Sequence, residues 1–217
     1  MRHHWCMPTS PNARSVRISD DERGGWSSDR PRRGGGPERP ADISTRCRVL
    51  RPSDTLRYSP GSLVVLVAPA KPDRDRFLER VLETQGPVLS ADKVRALLEG
   101  RVAPEEADER GAQLLQAAAR KRLEAGESVV LAADGLDPAE REPFVRAAHG
   151  FRRPRHLILL EAPRDQVADD DRGPLNDLRR RLDAGELGAE GFQTALRLGG
   201  ATTAEVKRLV FRPPPED

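Results

Sequence analysis

The sequence predicts an α/β domain in three layers, built on a mostly parallel sheet of about five strands, and two observations carry that expectation. Short continuous apolar runs rich in β-branched residues recur, as in Ser62–Val67, Glu127–Ala132 and Arg155–Leu160, and such runs suit strands buried on both faces. Stretches with helical apolar spacing separate them, and parallel neighbours need helical crossovers of that kind.

Taken in order, Ser62–Val67 is the first strand, and Arg74–Thr84 follows with Phe77, Leu78, Val81 and Leu82 at helical spacing and Asp73 placed as a cap. Pro87–Leu89 reads as a second strand. Ala91–Leu98 and Pro104–Ala125 read as helices, the latter closed by Gly126. Glu127–Ala132 is the third strand, Pro138–His149 a helix and Arg155–Leu160 the fourth strand. Leu175–Ala184 and Ala189–Leu198 are polar and read as helices, and Val206–Phe211 is expected as the last strand of the same sheet. The polar stretch of about 164–200 before that strand suggests a helical lid. The domain is thus expected to span 53–212, with 213–217 as a loose tail.

Composition bounds the function classes. Of 217 residues, 33% are charged and 36% hydrophobic, and no stretch approaches the ~18 consecutive apolar residues of a membrane span. The first eight residues have no apolar core of the ~7–15 residues that a secretory signal needs, so a cytoplasmic protein without membrane association is expected. Cys6 and Cys47 form neither a C-x-x-C pair nor a disulfide framework, and with four scattered histidines no metal site is expected. His149 and His156 have no carboxylate or cysteine partner at readable spacing, which favours structural roles.

Charge divides the chain. The first 61 residues carry 12 Arg against 7 acids, a net of +5, whereas the remainder carries −3. Residues 1–52, including Arg30–Pro40, have too little apolar surface to offset the entropy of ordering and read as a disordered Arg/Gly/Pro-rich tail. Three readings stand for it: a solvated arm, an arm that touches RNA or other acidic partners, or sequence lying ahead of a downstream start near Val16 or Val49.

Three sites carry a resemblance. The first strand is followed by a turn and a helix, then by Ser90-Ala-Asp92-Lys-Val-Arg95, a long helix ending Arg120–Gly126, and Ser128–Ala133. Over Ser62–Phe211 this order resembles the polynucleotide-kinase-like, AAA-type branch of the P-loop NTPases. The resemblance implies a P-loop NTPase fold with a Walker A motif, G-x-x-x-x-G-K-[ST], after the first strand. In that motif glycines let backbone N–H groups cradle phosphate, lysine neutralises the β/γ charge and a hydroxyl holds magnesium. Here the aligned run is Ala68-Pro-Ala-Lys71-Pro-Asp73-Arg74-Asp75-Arg76. Ala68 and Asp73 replace the glycines, Pro69 and Pro72 remove N–H donors, and Asp75 replaces the hydroxyl. Arg74 takes the lysine position, and Lys71 is the second cation that could meet a phosphate.

The resemblance also implies that Asp92 of the S-x-D-x-x-R element accepts a proton from a substrate hydroxyl and that Arg95 holds a substrate phosphate. Read without it, Asp92 is a cap on the Lys93–Leu98 helix. The strand that ends V-V-D-A-T-N in the family here reads Val130-Leu-Ala132-Ala-Asp134-Gly135. Asp134 is displaced by two residues onto the same face, and its Asp-Gly pairing reads first as a turn. In the lid, the expected arginine position holds Asp170, leaving Arg172 nearby, and Arg179–Arg181 reads as a solvated helix face.

Two functions follow as expectations. One is a kinase-like domain with a degenerate Walker A motif that binds a protein or small-molecule ligand without efficient phosphotransfer and needs no cofactor. The other is an ATP- and Mg2+-dependent kinase in which Lys71 and Arg74 hold phosphates and Asp92 activates a hydroxyl of a nucleic acid or small molecule.

Overall fold

The structure is a computed structural model that describes residues 41–212. Its strands are β1 (Arg48–Leu50), β2 (Thr55–Tyr58), β3 (Leu63–Val67), β4 (Val88–Ser90), β5 (Val129–Ala132), β6 (Arg155–Leu160), β7 (Thr194–Leu198) and β8 (Arg208–Phe211). Its helices are α1 (Lys71–Val81), α2 (Ala91–Leu98), α3 (Pro104–Glu124), α4 (Pro138–Gly150), α5 (Asp169–Asp183) and α6 (Ala201–Glu205). Six strands form one parallel sheet in the order β1-β7-β6-β3-β5-β4.

Strand alternation sorts the core into two clusters. Leu63, Val65 and Val67 face Leu115, Ala119 and Leu123 of α3, Phe144, Val145 and Ala148 of α4, and Leu175, Leu178 and Leu182 of α5. Val64 and Leu66 face the opposite side, where Phe77, Leu78 and Val81 of α1 pack with Leu56, Tyr58 and Leu209. All five residues of β3 are fully buried, which is why this strand reads as an unbroken apolar run. The helices that follow β3 and β5 therefore leave on opposite faces, and a crevice opens between their connections at the carboxyl ends of the strands.

Several expectations are corrected. The sheet has six strands, because Thr194–Leu198 is a strand between β6 and β1 and not the end of a helix. Ala195, Leu196 and Leu198 are buried, and Gly191 at φ 96° turns the chain into it. Residues 164–200 accordingly do not form one helical insertion. The last strand, β8, does not join the main sheet; it pairs in parallel with β2. The domain also begins before residue 53. Ile43 is buried, β1 pairs with β7, and Thr45 N–H donates to the Gly188 carbonyl at 2.9 Å. At Gly188 a Cβ would stand 1.9 Å from the Thr45 carbonyl oxygen, so this close approach requires glycine. The expected disorder of residues 1–40, Arg30–Pro40 included, and the loose tail at 213–217 fall outside the described residues.

Helix starts differ as well. α1 begins at Lys71 with Ala70 as N-cap and no side-chain cap, so Asp73 lies in the first turn instead of capping it. Ser90, not Asp92, caps α2 by accepting from Lys93 N–H at 3.2 Å. α5 starts at Asp169, six residues before the Leu175 that the apolar pattern indicates, and runs through Pro174.

His156, on β6, has a buried structural setting: Nδ1 lies 2.8 Å from Thr194 Oγ1, and the ring packs 4.5 Å from Tyr58. Burial, helped by the neighbouring Arg155 charge, lowers its pKa to about 4. The unfolded chain, with a histidine pKa near ~6.5, therefore binds more protons between those values, and stability falls as pH drops through that window. The expected loss is about 3 kcal/mol by pH 4. Denaturant melts from pH 7 to 4 check this, and His156→Gln is expected to flatten the slope.

Candidate functional site

Three connections meet at the carboxyl ends of the strands: β3 to α1 through Ala68–Ala70, β4 directly into α2, and β5 to α4 through Ala133–Asp137. They bring together Lys71, Arg74 and Asp75 from α1, Asp92 and Arg95 from α2, and Asp134 beyond β5, with Asp108 of α3 at the edge. The helix expected from Arg74 begins three residues earlier, at Lys71, and only Ala68–Ala70 connects strand to helix.

Arg74 lies at the centre with 0% exposure. One terminal nitrogen donates to the Ala133 carbonyl at 2.5 Å, and Nε donates to Asp75 at 2.8 Å. Asp92 stands 3.5 Å and Asp134 3.6 Å from the guanidinium. Arg74 Nη2, which faces Asp92, and Asp134 Oδ1, which faces Arg74 Nη1, are buried without a hydrogen bond among the described residues, so both contacts rest on charge and not on bonding geometry.

The outer ring repeats the theme. Arg95 donates to Asp92 at 2.5 Å, to Asp134 at 2.8 Å and to Asp108 at 3.2 Å. Lys71 Nζ lies 3.2 Å from Asp134 and 4.0 Å from Asp92. Burial alone would raise the Asp134 pKa, but the bonds and charges of Arg95 and Lys71 outweigh it and hold the carboxyl below the usual range. The bond to Asp134 raises Arg95 in turn, against a smaller opposing effect of burial. Lys71, Arg74 and Arg95 thus face Asp75, Asp92, Asp108 and Asp134, and the cations of the crevice are matched by the chain's own carboxylates.

Of the residues singled out from the sequence, Lys71, Arg74, Asp92 and Arg95 converge. Arg172 touches none of them; it pairs with Asp169 at 2.5 Å in the first turn of α5. With Arg164 and Arg179 it borders a separate cavity of about 340 Å3. The Arg179–Arg181 run is not merely a solvated face. Arg179 bonds Glu161, Arg181 bonds the Glu190 carboxylate at 2.6 Å, and Arg180 alone is strongly exposed, beside Asp177. Burial pushes Glu161 up, but Arg179 and Arg197 more than reverse this and lower it.

Asp134 is the residue sequence reasoning set aside as a turn. Its signal was present, since a displacement of two along a strand keeps the same face. Asp75 and Asp108 carried no comparable signal, because acids near helix starts are expected from the helix dipole alone.

Residues 75–173 match the family model of the AAA domain. The match begins immediately after Arg74, so β3, the strand-to-helix connection and Lys71 lie ahead of it. Among solved structures, the chain is similar to the APS kinase CysC of Mycobacterium tuberculosis in complex with AMPPNP and APS, at 17% identity over 65% of this chain and 90% of that one, with a TM-score of 0.37. It is similar to the tunicamycin resistance protein of Deinococcus radiodurans at 17% identity over 70% and 99%, with a TM-score of 0.37. A sugar kinase from Janibacter sp. is similar at 14% identity over 64% and 84%, with a TM-score of 0.33. No curated protein matches the chain. No helix among the described residues is long and apolar enough to cross a membrane.

Proposed function

We propose that the chain is a P-loop kinase-like domain with a degenerate Walker A segment, that it has lost Walker-type nucleotide binding, and that it acts by binding a small molecule or protein partner. The observation that carries this reading is the burial of Arg74, whose guanidinium is engaged by the Ala133 carbonyl and Asp75 with Asp92 and Asp134 beside it. Phosphoryl transfer depends on positioned cations that stabilise phosphate charge, and a cation enclosed by carboxylates is spent before any phosphate arrives. The backbone agrees. Pro69 and Pro72 lack N–H groups, and α1 starts at Lys71, which leaves only Ala68–Ala70 where a phosphate cradle needs a longer run of free donors. Asp73 and Asp75 set negative charge in the first turns of that helix, against phosphate.

The expected result is that purified protein shows no affinity for Mg-ATP or Mg-GTP tighter than roughly 1 mM, about 4 kcal/mol of binding free energy. Titration calorimetry with and without magnesium checks it. One feature favours the kinase reading instead: Asp92 is 49% exposed and sits beside Lys71 and Arg95, where an acceptor hydroxyl could reach it. In that reading ATP and Mg2+ are required, Lys71 and Arg74 hold the phosphates and Asp92 is the base. Tight, magnesium-dependent ATP binding would select it. RNA or another acidic partner for the basic N-terminal segment belongs to the same proposal, and loss of RNA affinity on removal of residues 1–40 tests that part.

A further inference from the structure

A cavity of about 330 Å3 lies between α2, α3 and α4 beside the charged cluster, at the small end of the ~300–1,000 Å3 range of ligand pockets. Its floor is apolar, made by Leu115, Leu131, Ala133 and Phe144, each less than a tenth exposed. Its charged groups are Arg95, Asp108, Asp134 and Glu140; Asp108 and Asp134 pair with Arg95, and Asp134 also with Lys71 and Arg74, which leaves Glu140 as the unpaired charge at the polar end. Arg95 offers no free charge to an incoming anion, since three carboxylates already hold it. Glu140, by contrast, forms no ion pair among the described residues, and its carboxylate folds over Gly135 at the rim, 2.8 Å from where a Cβ of that glycine would stand.

We infer that this cavity binds a small organic cation: a primary amine or guanidinium carried on an apolar, ring-sized body that fills the floor, while the charged end meets Glu140 at the rim. The inference deepens the reading of the chain as a ligand-binding module, rests on it, and reverses the anionic substrate that Arg95 was expected to hold. An anion entering the same space would bury its charge against Asp134 and Glu140 with no unengaged cation to offset the desolvation. A cation gains the unpaired Glu140, and the apolar floor supplies the remaining affinity.

Three probes of one shape and different charge test it: 2-phenylethylamine, 2-phenylethanol and 3-phenylpropionate, titrated into the full chain and followed by ligand-observed NMR. The amine is expected to bind at least about fivefold tighter than the carboxylate, with the alcohol between them and with the gap narrowing at high salt. Glu140→Gln, at an exposed site, is expected to weaken the amine by about threefold and leave the alcohol unchanged. Ala112→Leu, at the exposed wall, is expected to weaken all three by partly filling the space. Equal or tighter binding of the carboxylate, absence of binding by every probe, or indifference of the amine to Glu140→Gln would overturn the inference. Mg-ATP added to the same samples separates the two claims. Tight ATP binding overturns the functional reading whatever the amine does, and loss of amine selectivity with ATP still unbound overturns this inference alone.

Discussion

Changing Asp92 and Asp134 together to asparagine is expected to raise the affinity for inorganic pyrophosphate by at least about tenfold, or ~1.4 kcal/mol. In the native cluster Lys71, Arg74 and Arg95 face four carboxylates, and the double substitution leaves only Asp75 and Asp108 opposing them. Two unit charges removed within about 4 Å of three cations, partly screened by solvent, shift the local potential enough to exceed that threshold. The gain should shrink as ionic strength rises, because Asp92 and Arg95 are half exposed. Stability is expected to fall by about 1–3 kcal/mol, since buried Arg74 keeps a carbonyl and a single carboxylate. Calorimetry at low and high salt reads the first effect and denaturant melts the second. Unchanged pyrophosphate affinity would mean that carboxylates are not what closes this crevice.

The largest stability effect is expected away from the crevice, at Glu190→Ala. Arg141 is 1% exposed, and its guanidinium donates to both oxygens of Glu190, at 2.7 and 3.0 Å, and to the Leu136 carbonyl at 2.9 Å. Arg181 approaches the same carboxylate at 2.6 Å. Alanine at 190 leaves one guanidinium buried beside a second with no counter-charge, a change that costs about 3–5 kcal/mol. Urea melts measure it. A loss below about 1 kcal/mol would show that Arg141 reaches water when Glu190 is removed. The ion pair joins α4 to the turn ahead of β7, so the variant should also loosen the junction that holds β1 in the sheet.

What was legible in the sequence follows burial. The central strands β3, β5 and β6 are apolar on both faces, and nothing but a doubly covered strand suits such runs. β1 and β7 were not legible for the same reason reversed. Arg48 and Val49 are exposed at the sheet edge, and Thr194-Ala-Leu-Arg-Leu198 places its two polar residues three apart, a spacing that suits a helix. β8 was recognised as a strand but assigned to the wrong sheet, because its partner β2 has a weak alternating pattern that only a tertiary pairing reveals.

The site was legible in part. Asp92 and Arg95 are three apart on one helix, and their contact follows from helical spacing. The engagement of Arg74 was not, since it depends on Ala133 and Asp134 arriving from a strand far along the chain. Reading Arg74 as a phosphate ligand treated its charge as free, whereas the fold surrounds it with carboxylates from three separate connections.

The measurement that bears most directly on that point is the side-chain NMR signal of Arg74. Its Nε–H donates to Asp75 within a fully buried guanidinium, so it should give a resolved, slowly exchanging resonance at neutral pH, assignable by its loss in Arg74→Lys. Titration with Mg-ATP to about 1 mM is expected to leave that resonance in place. A saturable shift of the Arg74 signal with added Mg-ATP would contradict the account, because it would show the guanidinium leaving its carboxylates to meet phosphate.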